Sequence, residues 1–221
     1  MTKGSRPHSA TDLTKFQIEV ARAFFQLKES VGFVVSGGAA LLAAGLITRP
    51  TEDLDLFTHA PTDSVLPAKE SFLESAGVHG WDVSVIREYP TFCRLVVLGR
   101  DEEVLVDLAV DSPPADPPTM TILGPTLAPL ELAGRKVLAL FGRAEARDFA
   151  DVYALAERFG AEALLVQATE QDRGFSRSLF AEMIATLDRF TDDEIPAPPS
   201  DLRKIRTFFA DWATQITGDH P

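Results

Sequence analysis

The run Asp53-Leu54-Asp55-Leu56-Phe57 admits few structural readings. In a β-strand, residues i and i+2 share a face, so Asp53 and Asp55 point one way while Leu54 and Leu56 point the other. Two neighbouring carboxylates cannot be buried unpaired without a large cost. A hard divalent cation relieves that cost: Mg²⁺ takes carboxylate oxygens and completes its shell with water and phosphate. The preceding text supplies a place for phosphate. Residues 33–35 read as a short buried strand, Ser36-Gly37-Gly38 as a turn, and 39–44 as a helix. Glycine permits the tight turn and close backbone approach, and backbone N–H groups at a helix start attract anions.

The rest of the chain falls into two compositional halves. Helical spacing of Phe16, Val20, Phe24 and Leu27 predicts an amphipathic helix over 11–30. A second helix is expected over 65–76, ended by Gly77, followed by strands over 81–87, 92–98 and 103–110 joined by hairpin-length connections. The proline-rich run 111–118 breaks the chain. Residues 119–124 read as a short strand returning to the sheet, and the remainder as helices over 126–142, 146–159, 161–169, 175–190 and 200–216. The expected division is an α/β domain, 1–118, and a mainly helical domain, 119–221.

A third carboxylate is expected from the last strand of the first half. In residues 104–110 one face is Val104, Val106, Leu108 and Val110; the opposite face carries Leu105, Asp107 and Ala109, with Asp111 next in the same series. An Asp in mid-strand disfavours the sheet unless it has a partner, which points Asp107 towards Asp53 and Asp55. Asp111 is the competing assignment, although its place before Ser112-Pro113 suits a turn. In the helical half, Lys136 is either a surface side chain snorkelling from an apolar face or a point charge for phosphate. Asp148 and Asp151 share a helix face at i, i+3; Asp148 could serve as an N-terminal helix charge or as an ion-pair partner of Lys136 or Arg147.

The chain of 221 residues is long enough for a sizeable core. Its single cysteine, Cys93, excludes an internal disulfide framework and lies in an apolar strand. No apolar run approaches the ~20 residues of a membrane span, and the N-terminal text lacks an apolar signal core, so a cytoplasmic protein without a membrane partner is expected. The net charge of −12 runs against extensive phosphate neutralisation, but basic residues cluster locally at Arg135, Lys136, Arg143 and Arg147 and again at Arg203, Lys204 and Arg206.

The text GGAALLAAGLITRPTEDLDLF resembles the first motif of the polymerase-beta-type nucleotidyltransferases, and its flanks resemble the AbiEii/AbiGii toxin group with its MenT-like members. The matching features are the Gly-Gly-x-Ala-Leu start, Arg49-x-Thr51, the Asp pair, Asp107 in VLVDLAVD, Lys136 in ELAGRKVLALFGR, and Arg147-Asp148-Phe149-Ala150-Asp151, together covering about residues 30–158. Some MenT-like members carry a Ser directly after the first motif Gly; here that position is Gly38, and Ser36 stands before the pair.

The resemblance implies a polymerase-beta-like mixed α/β sheet with flanking helices, followed by a C-terminal helical bundle. It implies Mg²⁺ (or Mn²⁺) held by Asp53, Asp55 and Asp107, and an NTP bound by Ser36, Gly37, Gly38, Arg49 and Lys136. Catalysis would rest on Asp53, Asp55, Asp107, Lys136 and Asp148. Arg49 either contacts phosphate or braces the Gly-Gly loop, and Asp148 either braces Lys136 or touches substrate. The implied reaction is NMP transfer to an acceptor, the 3′ end of tRNA, by the toxin of a pair with a cognate antitoxin. Three other readings use the same residues: nucleotidylation of an aminoglycoside-type molecule, a kinase-like transfer of the γ-phosphate, and a catalytically inactive nucleotide-binding module.

Overall fold

The computed structural model describes residues 13–59 and 64–218. The expected start of the first helix at Thr11 lies outside them. The chain divides into two compact units, 1–128 and 129–221.

The first unit is built on a seven-stranded mixed sheet of order β3-β4-β5-β2-β1-β7-β6. Its strands are β1 (Val34–Ser36), β2 (Asp53–Thr58), β3 (Asp82–Tyr89), β4 (Phe92–Leu98), β5 (Glu103–Val110), β6 (Thr119–Thr121) and β7 (Gly124–Thr126). β2 runs antiparallel to β1 and parallel to β5, and β7 runs parallel to β1. The strand alternation is the one the sequence announces. Leu54, Leu56, Leu95, Val97, Val104, Val106 and Leu108 are buried on one face, against helices α1 (Lys15–Phe25) and α3 (Leu66–His79). Phe24 anchors that layer, with its ring edge-on to Phe33 and Phe72.

Local chemistry fixes the ends of these helices. α1 opens with a capping box: Thr14 accepts from the Gln17 backbone, and the Gln17 side chain accepts from the Thr14 backbone. The same Gln17 donates to the Thr51 carbonyl at 2.7 Å and so pins the loop that leads into β2. α1 ends earlier than the 11–30 pattern suggests, because the chain turns at Gln26 and tightens into a 3₁₀ turn at Lys28–Ser30. α3 passes through the expected stop at Gly77 and ends instead at Gly80, whose φ of 72° provides the left-handed cap.

The expected division at 118/119 falls ahead of the β6–β7 hairpin. The compact units divide after Ala128, because β7 pairs with β1 through Val35 and Thr126 and so belongs to the sheet.

The second unit contains α4 (Pro129–Arg143), α5 (Ala146–Phe159), α6 (Ala161–Gln171), α7 (Arg177–Ile184) and α8 (Pro199–Gly218). The periodicity of 175–190 resolves into α7 followed by a 3₁₀ turn at Ala185–Arg189. Phe149 packs edge-on to Phe209 and Phe180 to Trp212, and these rings with Leu140, Leu155 and Ile205 form a buried core. Among the described residues no helix is long and apolar enough to cross a membrane.

Candidate active site

The strand registers place four polar side chains in one row across the sheet. Arg94 on β4 pairs with Asp107 on β5, Asp107 with Asp55 on β2, and Asp55 with Ser36 on β1. Cross-strand partners share a face, so Asp53, two residues before Asp55, joins the same surface. Asp53 and Asp55 are half-buried, whereas Asp107 is 6% exposed.

The Gly-Gly turn closes onto this row. β1 ends at Ser36, and α2 (Gly37–Ala43) begins at once. Gly37 has φ 66°, and a Cβ there would overlap the Asp55 carboxylate, 2.7 Å from its Cγ. A Cβ at Gly38 would fall 2.8 Å from Thr51 Oγ1 and 3.7 Å from an Arg49 guanidinium nitrogen. The two glycines therefore let backbone approach both the acid pair and the Arg49–Thr51 loop. Arg49 donates to the Pro50 carbonyl at 3.1 Å, which braces that loop locally. Ser36 is 2% exposed and makes no side-chain cap to α2.

Asp107, rather than Asp111, stands level with Asp55. Asp111 accepts from the Ser112 backbone at 2.7 Å and begins the turn after β5. Asp107 is bound on both oxygens: Arg94 Nε donates to Oδ1 at 2.8 Å and Nη2 to Oδ2 at 2.6 Å. Among the described residues no three His, Cys, Asp or Glu side chains are placed to hold one metal ion. Asp53, Asp55 and Asp107 share one surface, and both Asp107 oxygens are engaged by Arg94. Asp53 and Asp55 offer carboxylate oxygens on one face, the donor type a hard cation takes, and Mg²⁺ is commonly held by one or two carboxylates plus substrate oxygens.

Sequence reasoning missed Arg94. The signal was present, since a hairpin pairing Leu98 with Glu103 necessarily sets Arg94 opposite Asp107.

The helical unit holds an ionic cluster of its own. Lys136 is 7% exposed, so it is not a snorkelling surface lysine. Its ammonium lies 3.1 Å from Asp148 Oδ1 and 2.9 Å from Asp151 Oδ2. Arg143 adds two hydrogen bonds to Asp148, at 2.8 and 3.0 Å. Arg147 pairs with Glu145 rather than Asp148. Burial opposes ionisation of Asp148, but the Arg143 hydrogen bonds and the Lys136 charge outweigh it and hold its pKa below the ordinary value.

Arg135 pairs with Glu131, so every cation of the basic segment has an acidic partner. In the second basic group, Lys204 pairs with Asp201 and Arg206 with Asp192. Arg135, Lys136, Arg143, Arg147, Lys204 and Arg206 are thus each paired with an acid.

The comparisons agree with this architecture. The family pattern described as "Nucleotidyl transferase AbiEii toxin, Type IV TA system" matches residues 21–216. Among solved structures, JHP933 from Helicobacter pylori is similar, with a TM-score of 0.58 and 18% identity over 94% of each chain. MenT4, a nucleotidyltransferase toxin from Mycobacterium tuberculosis, has a TM-score of 0.53 and 20% identity over 92% of this chain and 90% of its own. No individually curated protein matches the sequence. The match over nearly the whole chain, on a fold shared with these structures, makes the protein a member of the AbiEii nucleotidyltransferase toxin family.

Proposed function

We propose that the protein transfers an NMP from an NTP to a hydroxyl at the 3′ end of tRNA. The acceptor oxygen bonds to the α-phosphorus, its proton passes to solvent, and pyrophosphate leaves. The observation that carries this reading is the closure of the Gly-Gly turn on Asp55, with Asp53 on the same face. Asp53 and Asp55 would hold Mg²⁺ or Mn²⁺. Bound there, the cation would orient the triphosphate and offset charge developing on the leaving group. Gly37 and Gly38 let the turn close on Asp55 and Thr51, which would hold its backbone N–H groups beside the acid pair for phosphate, and Arg49 braces the neighbouring loop. In the helical unit, Lys136 and Asp148, whose family motif matches, form a buried ion pair.

The tRNA acceptor rests on resemblance to the MenT-like toxins. The family's toxin–antitoxin setting implies a cognate antitoxin, and the expected compartment is the cytoplasm. A second reading, a cationic aminoglycoside-type acceptor, draws support from the net charge of −12 and the pairing of the basic segment with acids.

One experiment separates these readings. Purified protein is given α-labelled or γ-labelled NTP with total bacterial tRNA, total protein or an aminoglycoside. Label from the α position in tRNA is the expected result. Label in the aminoglycoside arm alone selects the second reading. Label from the γ position alone replaces nucleotidyl transfer with a kinase reaction, and no label in any arm would sink the enzymatic reading.

A further inference from the structure

The pairing of Asp107 with Arg94 has consequences for how the acid row can take a cation. Its two oxygens are engaged side-on by one guanidinium, a planar fork that matches a carboxylate. The strand register sets the two residues opposite each other, so the pair is fixed by the backbone. Phe92 braces Arg94 from the same strand, its ring centroid 5.8 Å from the guanidinium carbon. Asp107 is buried, which limits competition from water. The hydrogen bonds to Asp107 lead the influences that raise the Arg94 pKa, and the charges of Asp53 and Asp55 also act on it.

We infer that Arg94 withdraws Asp107 from the cation-binding set, so that the site takes its divalent ion through Asp53 and Asp55, with Arg94 as a fixed positive charge beside them. This rests on the transfer reading above. Recruiting Asp107 as a ligand would exchange two charge-assisted bonds for one metal bond and leave Arg94 unpaired beside a divalent cation. Arg94 is thus a positioning residue: it acts on the cation site by holding Asp107 out of the ligand set.

Mn²⁺ alone, titrated into the nucleotide-free full-length protein and read by electron paramagnetic resonance, tests the inference without turnover. Asp53→Asn should weaken the wild-type site about tenfold or more. Asp107→Asn is ambiguous, because the orphaned Arg94 would itself repel the ion. The charge-neutral double variant Arg94→Met/Asp107→Asn removes that ambiguity and should bind Mn²⁺ within about threefold of wild type. It also leaves no unpaired buried charge, so it carries the test if either single variant fails to fold; circular dichroism and urea unfolding verify its fold.

Arg94→Met alone should bind Mn²⁺ more tightly, since it frees Asp107 as a ligand. A double variant as weak as Asp53→Asn would show that Asp107 is a ligand and overturn the inference while the transfer reading stands. A wild-type Mn²⁺ affinity that Asp53→Asn leaves unchanged would remove the cation site from the transfer reading, and the inference with it.

Discussion

Gly37→Ala isolates the close approach on which the candidate site depends. Two costs add. The backbone at Gly37 has φ 66°, a left-handed conformation that costs an L-residue about 1–2 kcal/mol. The new Cβ would also fall 2.7 Å from Asp55 Cγ and 3.2 Å from Asp55 Cβ. Relief requires the carboxylate to leave its rotamer, at about 0.5–1.5 kcal/mol. The substitution should therefore destabilise the sheet unit by about 1.5–3.5 kcal/mol. In an Asp55→Ala background the carboxylate is gone and only the Cβ–Cβ contact remains, so the cost should fall to the backbone part, about 1–2 kcal/mol.

The difference between the two backgrounds is a coupling energy of about 0.5–1.5 kcal/mol. It can be measured by urea unfolding, followed through Trp81 in a Trp212→Phe background. Trp81 is edge-on to Phe16 and stacked on His79, so it reports on the first unit. Equal costs in the two backgrounds would refute the close contact between Asp55 and the Gly-Gly turn. Gly37→Ala should also lose nucleotidyl transfer while folded, because the displaced group is the proposed cation ligand.

Four further outcomes are expected. Asp53→Asn should lower transfer by about 10²-fold or more, the loss of several kcal/mol of transition-state stabilisation, with an unchanged circular dichroism spectrum; near-normal turnover would exclude Asp53 from the site. Expression of the wild type should arrest bacterial growth and Asp55→Ala should relieve the arrest, as scored by colony counts. Lys136→Ala should destabilise the helical unit by about 3 kcal/mol, the low end for breaking a buried ion pair, because it removes the ammonium shared by Asp148 and Asp151, which are 0% and 1% exposed, while Arg143 still holds Asp148; an unchanged denaturation midpoint would contradict the buried pairing. Asp148 has a folded pKa below its ordinary value of 3.8, so its stabilisation is present above about pH 4 and is lost as pH falls through the folded pKa. Asp148→Asn should remove that part of the acid slope of stability, measured by urea unfolding from about pH 6 to pH 3.

The sheet was legible where alternation alone decides it. Asp53, Asp55 and Asp107 each sit in a run whose opposite face is apolar, and β2 and β5 carry them on one surface as that pattern requires. Arg94 was not legible from its own strand, because its meaning lies in a register with β5 that only pairing reveals. Gly77 misled because a helix tolerates an interior glycine; Gly80 ends α3 because there the chain turns left-handed. The burial of Lys136 was hidden because helical spacing shows an apolar stripe but not which neighbouring helix start supplies carboxylates. Asp148 and Asp151 reach it from α5, where burial makes an ion pair obligatory rather than ornamental.

The position of β7 next to β1 sets an order on the folding of a nascent chain. β1 finds β2 about twenty residues later, but its other edge waits for Val35 to meet Thr126, and such distant pairings form slowly. Until that segment has been synthesised, the strand that ends in Ser36-Gly37-Gly38 presents open backbone donors and acceptors. A fragment stopped at residue 118 would keep them open permanently and invite edge-to-edge association. The strand that carries the Gly-Gly turn would thus gain its second neighbour only after more than half of the chain has been synthesised.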